Sequence, residues 1–260
     1  MENNVPVTYI KTIGEGLVSP YGITTGKDNT VWVVEARAGR VTQLDENGGC
    51  LMSFGKGEGG IFNKVGKLHQ PTGITIDPGG NYFVADIKQD RILKYDPNGR
   101  FIKSFGGRGS EEGRFNLCWA IKCDAQGHLW VVDRDNNRLQ KFDAEGNFVA
   151  KIGKNQNNTG GFNRPSDIAF DSAGNLFVTD EHNYRVLKFD PEGNFISKFG
   201  KEGTESGQFR DPRGIAIDCE DRIYITDAYL DLVMVFNAYG RFLYSFSGPL
   251  QTGGSFYRPL

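Results

Sequence analysis

The 260-residue chain is poor in the residues that most often announce chemistry. It has three histidines and four cysteines, and Cys50, Cys118, Cys123 and Cys219 fall at irregular offsets with no C-x-x-C pair. That spacing disfavours a zinc site or a disulfide framework and leads to the expectation of buried or half-buried free thiols. Long apolar runs are also missing. None approaches the ~20 residues that span a bilayer, so membrane insertion is not expected. The amino-terminal stretch "MENNVPVTYIK" has neither a basic n-region nor an apolar h-region. No secretory signal is read there, and the cytoplasm is the default expectation for location. No charge of one sign dominates: 30 Lys and Arg against 32 Asp and Glu leave a net −2. Such a balance offers no electrostatic funnel for a polyanion, so nucleic acid is not favoured as a partner.

Glycine, by contrast, is abundant, with 35 residues against an average usage of roughly 7%. The glycines recur between short apolar runs, as tight turns require. The stretch "VTDEHNYRVLKFDPEGNFISKFG" at 178–200 has near-copies in "VADIKQDRILKYDPNGRFIKSFG" at 84–106 and "VVDRDNNRLQKFDAEGNFVAKIG" at 131–153. Anchors at Pro20, Pro71, Cys118, Pro165, Pro212 and Pro259 lie 51, 47, 47, 47 and 47 residues apart. A period this strict means stacked copies of one supersecondary unit.

Each unit contains four short runs that alternate or are rich in β-branched and aromatic residues; in the second unit they are "GITI", "NYFVAD", "RILKYD" and "RFIKSFG". None has sustained 3.6 periodicity. Turns of the form Asp-x-x-Gly join the first run to the second and the third to the fourth, as at Asp77 and Gly80, Asp96 and Gly99, Asp171 and Gly174, and Asp190 and Gly193. Asp suits the start of a type I turn, and Gly accepts the positive φ of the bulge after it. Four antiparallel strands per unit follow. A sheet of this size must pack against its copies, and radial packing also protects its edges, which predicts an all-β β-propeller. A β-helix needs a shorter period, and the leucine ladder of a leucine-rich repeat is absent.

The recurring pattern G-x-F-x-x-P-x-G-I-A-x-D-x-x-G-x-x-Y/F-V-x-D-x-x-N-x-R-x-x-K-F-D-x-x-G-x-F-x-x-x-F-G resembles the NHL repeat over nearly the whole chain. The resemblance implies a six-bladed propeller in a single domain, 1–260. Five blade cores are complete, at 20–54, 71–105, 118–152, 165–199 and 212–246. "TYIKTIG" at 8–14 matches only a fourth strand, and "GSFYRPL" at 254–260 only the approach to a first strand, giving a partial sixth blade. The expectation is a six-bladed type truncated at its carboxyl end by about 35 residues; five blades closing on themselves are the alternative.

The copies separate what is constant from what varies. An acid ends each second run (Glu35, Asp86, Asp133, Asp180, Asp227), and five positions later come Arg40, Arg91, Arg138, Arg185 and Leu232. Across antiparallel strands these positions face each other. They predict an ion pair or turn-capping network in each blade rather than a ring of metal ligands, with Asp227 needing another partner. Two positions vary: Arg37, Lys88, Asp135, His182 and Tyr229 in the loop after strand two, and Tyr21, Thr72, Trp119, Ser166 and Arg213 one past the anchor. Propeller geometry gathers both sets at the channel mouth, where exposed aromatic and arginine side chains favour binding. The candidate ligand-binding surface is therefore Tyr21, Arg37, Lys88, Trp119, His182, Arg213 and Tyr229. The loop at 55–70 is four residues longer than its counterparts and, with Lys56, Lys64, Lys67, Glu58 and His69, makes a mildly basic flap. Lys122 replaces the small residue of the other first strands and is expected to meet water or an acid such as Asp167.

No nucleophile elbow, phosphate-binding Gly-Lys-Ser/Thr loop or His-Glu-x-x-His helix is present, and no catalytic residue is assigned. The leading expectation is a non-catalytic binding or scaffold module that recognises a protein or small molecule at the channel mouth, as the NHL resemblance implies. One rival is a propeller lyase or hydrolase with a channel metal, similar to the amidating lyases and lactonase-like enzymes. Zinc wants converging histidines, and His69 and His182 fall at the opposite end from His128. No metal ligand or cofactor is assigned, although Asp and backbone carbonyls leave room for calcium. The other rival is an RNA-binding NHL domain, with Trp119, Tyr21 and Tyr229 as stacking platforms.

Overall fold

The computed structural model describes Val7 and residues 10–26, 29–58, 65–153 and 161–247. Among these residues, five four-stranded antiparallel sheets follow one another, each with its strands paired in sequence order. The only helical segments there are two short 3-10 turns, Arg134–Asn136 and Glu181–Asn183. Blade one comprises Pro20–Thr25, Val31–Glu35, Arg40–Leu44 and Cys50–Phe54; the other four begin at Pro71, Cys118, Pro165 and Pro212 and end at Gly106, Ile152, Phe199 and Phe246. The partial sixth blade expected from 254–260 lies outside the described residues, as do residues 8 and 9 and Lys64 of the flap; residues 10–14 are described and form no strand, contrary to the expected fourth strand at 8–14.

The Asp-x-x-Gly turns are built as their sequence requires. Gly80 N–H donates to the Asp77 carbonyl, Asp77 N–H to the Asn81 carbonyl, and Gly80 takes a φ of 83°. The Asp77 carboxylate also accepts the Asn81 N–H at 2.8 Å, so the side chain holds the turn that its backbone starts.

Ile13–Ile152 forms one compact unit carrying blades one to three. Side chains alternate across each second strand, so one strand feeds two cores. Tyr82 and Val84 pack with Trp32, Val34, Phe54 and Tyr95 between blades one and two. Phe83 and Ala85, from the same strand, pack with Ile121, Val131 and Phe142 between blades two and three. The first strands approach closely: a β-carbon on Gly22 would lie 2.3 Å from the Thr72 carbonyl oxygen. The second unit is Met1–Thr12 with Gly153–Leu260 and carries blades four and five, joined by Phe177, Val186, Phe209, Ile225 and Phe236.

The acid ending each second strand faces the position five residues later, in the register the sequence predicts. Arg40 pairs with Glu35, Arg138 Nε donates to Asp133 at 2.6 Å, and Arg185 Nε to Asp180 at 2.8 Å. Blade two departs from the expectation. Arg91 makes no bond to Asp86; its Nη2 donates to the Lys67 carbonyl at 3.2 Å, and its buried Nε has no hydrogen-bond partner. The ribbon of Lys56–Glu58 and Val65–Lys67, found in the longer flap, supplies that competing carbonyl.

What all five acids share is a main-chain donor. Each carboxylate accepts the backbone N–H seventeen positions earlier: Val18 to Glu35, His69 to Asp86, Asn116 to Asp133, Asn163 to Asp180 and Arg210 to Asp227. The acid is therefore a latch on the segment leading into its blade, and arginine is an addition to it. Asp227, facing Leu232, is satisfied by the N–H groups of Arg210, Asp211, Tyr229 and Leu230.

All four cysteines are free, but only Cys118 is buried; Cys123 is half-buried, while Cys50 and Cys219 are exposed, contrary to the sequence expectation. Cys50 opens a fourth strand, which has solvent on one face, and Cys219 sits in the turn before Ile223. Burial pushes the Cys118 thiol far up, and burial followed by the Asp124 charge pushes Cys123 up to about 12. Since the thiolate is the reactive form, an alkylating reagent at neutral pH is expected to modify Cys50 and Cys219 in the native chain and to reach Cys118 only on unfolding. Peptide mass spectrometry checks this, and native labelling of Cys118 would contradict the burial.

Candidate functional site

The four-residue loop after each second strand ends in a left-handed residue: Gly39, Asp90, Asn137, Tyr184 or Asp231, with φ between 49° and 61°. This turn holds the second loop position outward, and Arg37, Lys88, Asp135, His182 and Tyr229 are all exposed. The position after the anchor behaves less uniformly. Thr72 and Ser166 are buried, and their hydroxyls donate to the Trp119 and Arg213 carbonyls of the next blade. Tyr21, Trp119 and Arg213 remain partly exposed.

In blades one to three the structure gathers Tyr21, Arg37 and Lys88 around a cleft of about 560 Å3, open to the surface and also lined by Ser19, His69 and Gln70. Trp119 supports its aromatic wall, meeting Tyr21 edge to face at 5.7 Å between centroids, and the buried Arg134 guanidinium lies 4.4 Å over the Trp119 ring. Edge-to-face packing and a cation over indole both favour a fixed ring orientation. Asp86, fully buried, ties the lining residues together: it accepts the N–H groups of His69, Gln70 and Lys88, with His69 Nδ1 at 3.6 Å. Among the described residues the side chains of Arg37 and Lys88 make no ion pair or hydrogen bond. Two cations thus face solvent without an internal counter-charge.

Blades four and five treat their candidates differently. Arg213 grips Asp211 with both arms of its fork, at 2.9 and 3.0 Å, and lies 3.8 Å from Glu181. His182 Nε2 is 3.4 Å from the same Glu181 oxygen. Arg210 stacks over Tyr229 and pairs with Glu202, leaving Tyr229 65% exposed. Internal acids meet these cations, so they offer less to an incoming anion. Asp167 bonds within this unit as well, accepting the Ile168 and Ile215 N–H groups.

Sequence reasoning left His69 and Gln70 out of the candidate surface. The signal was present: the two positions before each anchor read Val18-Ser19, His69-Gln70, Asn116-Leu117, Asn163-Arg164 and Arg210-Asp211, as variable as the positions that were chosen. Each histidine sits beside a different carboxylate, His128 beside Asp124 at 3.2 Å. Among the described residues no three His, Cys, Asp or Glu side chains converge in a metal-binding group.

The NHL-repeat profile matches residues 115–142, and a family described as a 6-bladed beta-propeller matches residues 165–256. Peptidyl-glycine alpha-amidating monooxygenase B of Xenopus laevis is 33% identical over 102 residues, covering 37% of this chain and 11% of that protein. The chain thus matches only about a tenth of this relative's length. Virginiamycin B lyase from Staphylococcus aureus superposes with a TM-score of 0.64 at 18% identity, covering 89% of this chain and 71% of that one. A chain of a nidogen/laminin complex gives 0.63 at 19%, covering 88% and 80%. At such identities the structural likeness speaks for the fold alone. Together with the recurring four-stranded antiparallel blades, these matches support an NHL-repeat β-propeller, with five blades among the described residues and a six-bladed family matched over blades four and five.

Proposed function

We propose that this chain is a non-catalytic recognition module whose ligand sits at the loop end of blades one and two. The observation that carries the reading is the cleft itself, in which Tyr21 forms a supported wall and the Arg37 and Lys88 cations have no internal partner. Its volume lies within the ~300–1,000 Å3 usual for ligand sites. Unpaired cations beside a fixed aromatic ring contribute little to folding and much to binding. A lyase or hydrolase reading draws on the names of relatives, but its metal would need converging ligands, which the described residues do not supply. An RNA reading needs a longer basic track than three side chains provide.

The test is selection of a random peptide display library on the full chain, followed by measurement of each selected peptide on a Tyr21→Ala/Arg37→Ala/Lys88→Ala variant. Arg37 and Lys88 are exposed and Tyr21 is partly exposed against Trp119, so the variant is expected to fold with at most a modest loss of stability, which a thermal melt checks. Selected peptides are expected to bind it about tenfold more weakly or worse, the scale of removing hot-spot contacts. Undiminished binding would place recognition elsewhere.

A further inference from the structure

We infer that the cleft takes a carboxylate-rich peptide segment, an inference that rests on the recognition reading above. Among the described residues the rim carries Arg37, Lys88 and His69 and no exposed carboxylate. The acids nearest in sequence, Glu35, Asp86 and Asp90, are buried, and Asp90 accepts the Leu117 N–H. Arg40 and Thr42 donate to Glu35, which also accepts the Val18 N–H, while three main-chain N–H groups converge on Asp86. Among the described residues the Arg37 and Lys88 side chains pair with no acid, while the buried Asp86 charge lies beside His69 and is held by main-chain donors, so the two open cations favour an anion as the ligand.

The form of the anion follows from the donors. Arg37 offers a planar fork suited to two carboxylate oxygens, Lys88 a point charge, and Gln70 an amide that can donate or accept. A nucleic-acid strand gains its affinity from many phosphate contacts, and the net charge of −2 works against one here. A peptide has a different match. The cleft is open, so a continuous chain can enter and leave, and in an extended peptide alternate side chains share one face at a spacing of roughly 7 Å. Two acidic side chains on that face can meet the separate cations of blades one and two while their methylenes lie on Tyr21, whose ring Trp119 holds at a fixed angle.

The experiment is titration calorimetry of the full chain at low ionic strength with end-blocked tetraglutamate, end-blocked tetraglutamine, glutarate and inorganic phosphate. Tetraglutamate is expected to bind at least about tenfold more tightly than each of the others, and Arg37→Glu or Lys88→Glu to weaken it by about tenfold or more. Lys151→Glu, on a fourth strand where Lys151 pairs with Glu112, is expected to leave it unchanged. Equal binding of tetraglutamine would overturn the charge argument, and glutarate or phosphate binding as tightly would overturn the peptide. An equal effect of Lys151→Glu would reduce the result to bulk charge and overturn the site. If library-selected peptides lose binding to the triple variant while tetraglutamate never binds, this inference falls and the recognition reading stands. If they ignore the triple variant, both fall.

Discussion

Asp133→Ala is expected to lower the melting temperature by about 10 °C, among the largest losses from any single side chain outside the apolar core. Asp133 is fully buried, and its carboxylate accepts the Asn116 N–H at 2.7 Å, Arg138 Nε at 2.6 Å, Asn136 Nδ2 at 2.9 Å and Gln140 Nε2 at 3.1 Å. Removing it takes the counter-charge and the Nε partner from a guanidinium that is itself buried, whose Nη2 keeps only the Glu111 and Arg114 carbonyls, and also strands a main-chain donor. Breaking a buried pair from one side costs ~3–5 kcal/mol, and ~1 kcal/mol moves the midpoint of a domain near this size by ~2–4 °C. Asp86→Ala should cost less, because Arg91 already donates to Lys67 and only main-chain donors and His69 lose their partner. Calorimetric melts of the two variants compare these directly. Equal losses would mean that the arginine adds nothing to the latch.

Gly22→Val is the second large effect, and its cause is space rather than charge. With a β-carbon 2.3 Å from the Thr72 carbonyl oxygen, the first strands of blades one and two cannot keep their separation. Overpacking of this kind costs on the order of 3 kcal/mol when a backbone has to shift. Gly73 is less constrained, since its added β-carbon would lie 3.1 Å from Ala120 Cα, a gap that small movements can widen. Gly73→Ala should therefore be the milder change. Ile102→Ala, at a side chain 47% exposed on a fourth strand, should stay within ~0.5 kcal/mol of the parent. Urea unfolding of the three variants gives the order, and a mild Gly22→Val would mean that the blades slide freely past each other.

The strands, turns and facing registers were legible because they depend on local rules that every copy repeats. Alternation sets which face each residue of Tyr82–Asp86 presents, and Asp-x-x-Gly sets where the hairpin closes. Arg91 was misread for a reason peculiar to blade two. Its side chain has two acceptors in reach, and the winning one, the Lys67 carbonyl, belongs to a ribbon that no other blade carries. Internal repetition cannot forecast an interaction with a unique insertion. The candidate surface was legible in part for a similar reason. Variation among copies singled out Arg37 and Arg213 equally, and each has an acid two residues before it: Asp211 is partly exposed and pairs with Arg213, whereas Glu35 is fully buried and held by Arg40, Thr42 and the Val18 N–H. Whether that acid is already engaged decides between an open contact and an internal pair.

The shared seventeen-residue spacing of the latch bears on the order in which the chain assembles. Loop-closure entropy rises slowly with length, so a contact between residues seventeen apart is cheap compared with one between copies nearly fifty apart. Each blade can thus draw its own leading segment onto its second strand before any neighbour is in place, by local contacts of the kind that speed folding. The packing of Phe83 against Ile121, or of Phe177 against Ile215, then joins units whose registers are already set. On this view the acid at the end of strand two acts first as a nucleation device. Its repetition lets near-identical sequences fold side by side while keeping each strand with its own blade.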